Sequence, residues 1–112
     1  MPGVFPGVAD LVGRYYSRQG RELSLMEWAL SYENMTEEAR RVARTALDGE
    51  VVVSTVWLGL DHQWAPAGPP LIFETMIFGG PLDGETWRYA TEEQALAGHA
   101  YAVVCATAGV MG

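Results

Sequence analysis

Lysine is absent from this chain of 112 residues; its seven basic residues are all arginine, set against fourteen Asp and Glu, for a net charge of −7. Residues 1–44 hold six Arg and six acids, whereas residues 45–112 hold Arg88 alone against eight acids. A protein that grips phosphate backbones needs a concentrated basic surface, and the cluster Arg40, Arg41 and Arg44 is short and lies beside Glu37 and Glu38. No nucleic-acid partner is therefore expected. Cysteine is nearly as scarce. Cys105 has no second cysteine to pair with, which fits a reducing compartment. Gly, Pro or a charge interrupts every apolar stretch before it reaches the length of a membrane span. The opening MPGVFPGVADL lacks the basic start and unbroken apolar run of a signal peptide, so the expected location is cytoplasmic, with no membrane partner. Catalytic signatures are missing too. The chain has no GxSxG elbow, no HxH or HExxH spacing and no GxxxxGK[ST] or GxGxxG phosphate loop.

What is present is a core-forming composition, 49% hydrophobic, in a length that suits one domain. Pro2 and Pro6 make residues 1–12 an extended arm. Gln19-Gly20 marks a tight turn between Arg14-Tyr-Tyr-Ser-Arg and Arg21-Glu-Leu-Ser, predicting a short hairpin. Ser24-x-x-Glu27 has capping-box spacing and opens a helix whose buried stripe would be Leu25, Trp28, Ala29 and Tyr32. Residues 36–47 read as one helical turn at 36–40 followed by a strand at 41–47, with a continuous helix through Ala46 as the competing reading. The hairpin dipeptide Asp48-Gly49 favours the strand.

The centre is the clearest part. Val51–Leu60 and Leu71–Phe78 are rich in β-branched and aromatic residues, and three prolines stiffen the loop between them. Pairing Leu60 with Leu71 would put Val56, Leu58, Phe73 and Ile77 on one face, and Thr55, Trp57, Glu74 and Met76 on the other. Both faces would then be largely apolar, and each would need a cover: a helix, the arm or a second subunit. Thr86–Ala90 reads as a last strand. Thr91-x-x-Gln94 caps a helix from 91 to about 106, with Leu96, Ala100, Val103 and Val104 on its apolar face. The expected fold is α+β, a single domain over 1–112: an antiparallel β-meander of three to five strands with an N-terminal and a C-terminal helix packed on the sheet.

Four segments in this order, YYSRQGRELSLMEWA at 15–29, VSTVWLGLDHQW at 53–64, GPPLIFETMIFGG at 68–80 and RYATEEQALAGHA at 88–100, resemble an uncharacterised family of small proteins common in actinobacteria and their phages. The match covers roughly residues 14–100. Arginine in place of lysine, with abundant Ala, Gly and Val, suits a GC-rich genome of that kind. The resemblance implies a context and no mechanism. Residues 37–48, EEARRVARTALD, depart from the family pattern by being more helix-like.

Few side chains carry chemistry. His62 and His99, with Asp61 and Glu74, have the donor types of a metal site but no ligand spacing, and His99 between Leu96 and Val103 reads as a packed imidazole. No metal and no cofactor is expected. Cys105, in an apolar helix, reads as core. Glu74, flanked by Phe73 and Met76, must be paired or reach solvent, and Arg88 on the next strand is the natural partner; a carboxylate facing a ligand is the alternative. Trp64 on the proline-stiffened loop is either a binding anchor or a lid folded over Trp57. The candidate binding residues are thus Trp57, His62, Trp64, Glu74 and Arg88.

Small size, acidity and the missing catalytic spacing favour a non-enzymatic accessory protein of phage or mobile-element type. It would bind a protein partner or a small ligand, and a homodimer would cover the second sheet face. If phage-encoded, it would work in the host cytoplasm. Two alternatives follow from the same residues. One is a small metal-dependent or acid–base enzyme using His62, Glu74 and His99. The other is an anti-defence protein sequestering a small phosphorylated signal, which needs Arg14, Arg18 or Arg88 lining a pocket.

Overall fold

The computed structural model describes residues 15–33, 35–61 and 68–111. The expected arm at 1–12, His62 and Trp64 lie outside the described residues. The fold is α+β. Strands β1 (Tyr15–Tyr16) and β2 (Glu22–Leu23) form a small hairpin, followed by helix α1 (Leu25–Glu33) and the single turn α2 (Glu37–Arg40). Strands β3 (Arg41–Leu47), β4 (Val51–Trp57), β5 (Phe73–Phe78) and β6 (Thr86–Tyr89) pair antiparallel in chain order, and helix α3 (Glu92–Met111) closes the chain. Among the described residues no helix is long and apolar enough to cross a membrane.

Local chemistry sets these boundaries. Glu27 N–H donates to Ser24 Oγ at 3.0 Å and Ser24 N–H donates to Glu27 Oε1 at 2.9 Å, a complete capping box at the start of α1. Thr36 caps α2 by accepting from Ala39 N–H at 3.0 Å, and the chain turns extended at Arg41. The helical turn at 37–40 and the strand at 41–47 both form, and the continuous helix through Ala46 does not. Thr91 caps α3 through Gln94 N–H, while the Gln94 side chain reaches one residue beyond a standard box, to Ala90 N–H.

Three expectations about facing are overturned. The β4–β5 ladder pairs Trp57 with Phe73 and Val53 with Ile77, one residue out of step with a Leu60–Leu71 pairing. Gly59 supplies the reason. At φ 72° it ends the strand early, and Leu60 instead bridges Tyr15. Because strand side chains alternate, that single step moves Trp57 and Thr55 to the face opposite Glu74 and Met76.

The second correction concerns α3. Its buried residues are Ala95, His99, Ala102 and Ala106, whereas Leu96 and Val104 are 48% and 65% exposed and Ala100 faces solvent. A helix that lies close on a sheet needs small side chains beneath it. Gly98 is the extreme case, since a Cβ there would overlap the hydroxyl end of Tyr89. Third, α1 packs against the β1–β2 hairpin and turns only Trp28 of the described stripe inward, with its ring 4.6 Å from that of Tyr15. Leu25, Met26, Ala29 and Leu30 are exposed.

The core lies between α3 and one face of the sheet, in two apolar clusters. Val51, Val53, Ile77, Ala102 and Ala106 form one; Trp57, Ile72, Phe73 and Ala95 form the other. Thr55, Thr75 and His99 are also buried in this layer.

Candidate docking surface

The face of the sheet turned away from α3 is assembled by register. Three rows run across the strands: Ala46, Val52 and Phe78; Arg44, Ser54, Met76 and Thr86; Arg41, Val56, Glu74 and Arg88. A bulge between Arg41 and Ala43 brings β3 into this register, and α2 adds Glu37 and Arg40 at the rim. Of these, Glu37, Arg40, Arg44, Val52, Ser54, Val56, Glu74, Met76 and Phe78 line an open groove of about 480 Å³. None of the described elements packs on this face as α3 does on the other. Phe78 is 49% exposed, and Arg44 and Ala46 also face solvent.

Glu74 stands at one end of the groove, paired with Arg88 on the next strand. Arg88 Nε donates to Glu74 Oε2 at 3.1 Å, the pair expected from neighbouring strands. Glu74 is the more enclosed of the two, with 16% of its side chain exposed against 42% for Arg88. A carboxylate can accept more than one donor, so this arrangement leaves Glu74 able to meet a further cation. Trp57 takes no part here. It is buried beneath α3 with its indole N–H donating to the Tyr16 carbonyl at 3.2 Å.

His99 belongs to a different structure on the covered side. Its Nε2 lies 2.8 Å from Thr45 Oγ1 and its Nδ1 lies 2.8 Å from Thr55 Oγ1. Thr55 bonds Thr75, which in turn bonds the Tyr89 hydroxyl. A neutral imidazole with one N–H and one lone pair fits between two hydroxyls that can each donate or accept. Burial lowers the His99 pKa from 6.5, and burial raises that of Tyr89 above 10.0 despite the opposing hydrogen bond from Thr75. The chain of five side chains ties α3 to all four strands and lines neither groove described here. Its role is structural, in line with a packed His99.

The geometry separates two of the three residues of the enzyme alternative, His99 and Glu74, while His62 lies outside the described residues. His99 is held under α3 while Glu74 projects from the opposite face, and no group of three His, Cys, Asp or Glu among the described residues is placed to hold a metal ion. A smaller groove of about 260 Å³ is lined by Arg18, Gln19, Gly20 and residues 90–92. Arg18 is engaged there by both carboxylate oxygens of Glu92, at 2.6 and 3.3 Å, and also donates to the Ala39 carbonyl. Of the three arginines named for a phosphate pocket, Arg18 thus lines a groove but faces Glu92, Arg88 faces Glu74, and Arg14 lies outside the described residues.

Arg44, Val52, Ser54 and Phe78 were not among the candidates from sequence, nor were the three threonines. The signal for Arg44, Val52 and Ser54 was present in the Asp48-Gly49 turn, because fixing that hairpin fixes which β3 and β4 residues share a face. Comparison with protein families, curated proteins and solved structures found no match to the chain.

Proposed function

We propose that this chain is a non-enzymatic accessory protein of phage or mobile-element type that works by docking another protein on the open face of its sheet. The observation that carries the reading is the contrast between the two faces. One lies beneath α3, while the other presents Val52, Val56, Met76 and Phe78, with Arg44 and Glu74 among them, under no described element. Exposed apolar surface flanked by charge is characteristic of interaction sites. A shallow open groove encloses little of a small molecule, whereas a protein surface can cover its full length. The order of the four sequence segments and the arginine-only composition support the actinobacterial or phage setting, with the host cytoplasm as the place of action.

Thiol accessibility tests the reading directly. In a Cys105→Ala background, a cysteine at Met76 of the dilute full-length chain is expected to react with a maleimide within about tenfold of the rate at Glu93→Cys, an exposed site on α3. Protection at Met76 at every protein concentration would mean that the chain covers this face itself, and the reading would fall.

A further inference from the structure

Resting on that docking surface, we infer that its occupant is a second copy of this chain, packed face to face about a two-fold axis that runs along the strands between β4 and β5. The sheet has two strands on each side of this line, with rows aligned across it. Such an axis lays β4 over the partner's β5 and β3 over the partner's β6. Val52 then stacks on the partner's Phe78, and Phe78 on the partner's Val52, so the apolar row meets itself. Ser54 meets the partner's Met76. Glu74 lies over the partner's Val56, with the partner's Arg41 next to it in the same row and the partner's Arg44 diagonal to it. Stacked sheets sit about 10 Å apart, a gap that an Arg and a Glu side chain can bridge between them. The axis that joins the apolar rows thus also sets each Glu74 beside the partner's β3 arginines, and it lays Arg41 over the partner's Arg88. Four strands about 4.8 Å apart and about 20 Å long present roughly 400 Å². That is about half of what one partner commits to a standard interface, so a weak, transient association is expected.

Sedimentation equilibrium of the full chain, combined with charge exchange, tests this. Arg44→Glu places two acids together at each contact, and Glu74→Arg places two cations together. Each variant alone is expected to weaken self-association at least tenfold. Mixed in equal amounts they are expected to form a heterodimer, because one pair is native and the other is exchanged. Phe78→Arg, at an exposed position that leaves the core intact, is expected to give a monomer. A dimer that persists in Phe78→Arg and Arg44→Glu is held by another surface and overturns the proposal. A wild-type chain that stays monomeric at millimolar concentration also overturns it. In that case the labelling of Met76→Cys separates the two readings. Fast labelling leaves the face open to a different protein, whereas protection relieved by removing residues 1–14 identifies the arm as occupant and removes both.

Discussion

Replacing Gly98 by alanine should destabilise the protein, although alanine is the better helix former. Within an exposed helix the exchange is worth about 1 kcal/mol in favour of alanine. Here the added Cβ would overlap the hydroxyl end of Tyr89, meeting its Oη, Cζ and Cε1 atoms together. The ring is half-buried against the second apolar cluster and bonded to Thr75, so it has nowhere to move without loss. Overpacking of this kind costs about 1–3 kcal/mol, and displacing the hydroxyl from Thr75 forfeits about 1 kcal/mol more. The net expectation is a loss of about 1–3 kcal/mol, read as a lower urea midpoint by tryptophan fluorescence. In a Tyr89→Ala background the obstructing atoms are gone, and the same Gly98→Ala change should instead stabilise by about 1 kcal/mol. The coupling between the two sites is therefore about 2–4 kcal/mol. Gly109→Ala, where a Cβ would make an ordinary contact with Leu82 at 3.5 Å, is the matched control and should be neutral or mildly favourable. A stabilising Gly98→Ala in the native background, or an equal loss in both backgrounds, would refute the close seating of α3 on Tyr89.

Thr55→Val keeps the side-chain shape but removes the hydroxyl shared by His99 Nδ1 and Thr75, and should cost about 1–3 kcal/mol for the buried groups left unpaired; a urea midpoint unchanged from wild type would contradict this. The pH dependence follows from His99. Because its pKa is lowered in the fold, the unfolded chain takes up a proton more readily, and stability rises with pH across the interval between the two values. Stability should therefore be fully present above the ordinary value of 6.5 and fall as pH drops below it towards the lower folded value. Urea midpoints at about pH 7.5 and 5.5 should show the decrease, and His99→Gln should flatten it; a higher midpoint at the lower pH would contradict the burial of a neutral imidazole.

The elements were largely legible in the sequence, because turns and caps are local. Asp48-Gly49 and the cap at Thr36 placed the third strand within a segment that otherwise looks helical, and Ser24-x-x-Glu27 formed as its spacing requires. The Glu74–Arg88 pair was also legible, since a carboxylate in an apolar strand needs a cation and only one was near. What could not be read was which face each strand turns inward. Val51, Val53 and Trp57 on one side of β4 look no more apolar than Val52 and Val56 on the other, so alternation gave no direction. The helix misled for a related reason. In α3 apolar residues occur around the whole circumference, and the side that packs was selected by smallness, as at Ala95, Gly98 and Ala102, which hydrophobicity does not measure. Trp57 consequently looked like a binding residue beside Glu74 and Met76 when it is core, and the docking face acquired Arg44, Val52 and Phe78 instead.

The hydroxyl–imidazole chain across the core also bears on how the strands find their partners. β4 and β5 are joined by residues 58–72, a connection too long for a tight turn to dictate which residues meet. With apolar side chains on both faces, a ladder displaced by one residue would bury nearly as much oily surface as the observed one. It would, however, carry Thr55 or Thr75 away from His99 and leave hydroxyls and ring nitrogens stranded in a dry interior. Those few polar atoms therefore penalise a misaligned sheet that apolar burial alone would accept. A chain with valine at both 55 and 75 would lose that discrimination, and with it the guarantee that one sequence settles into one alignment.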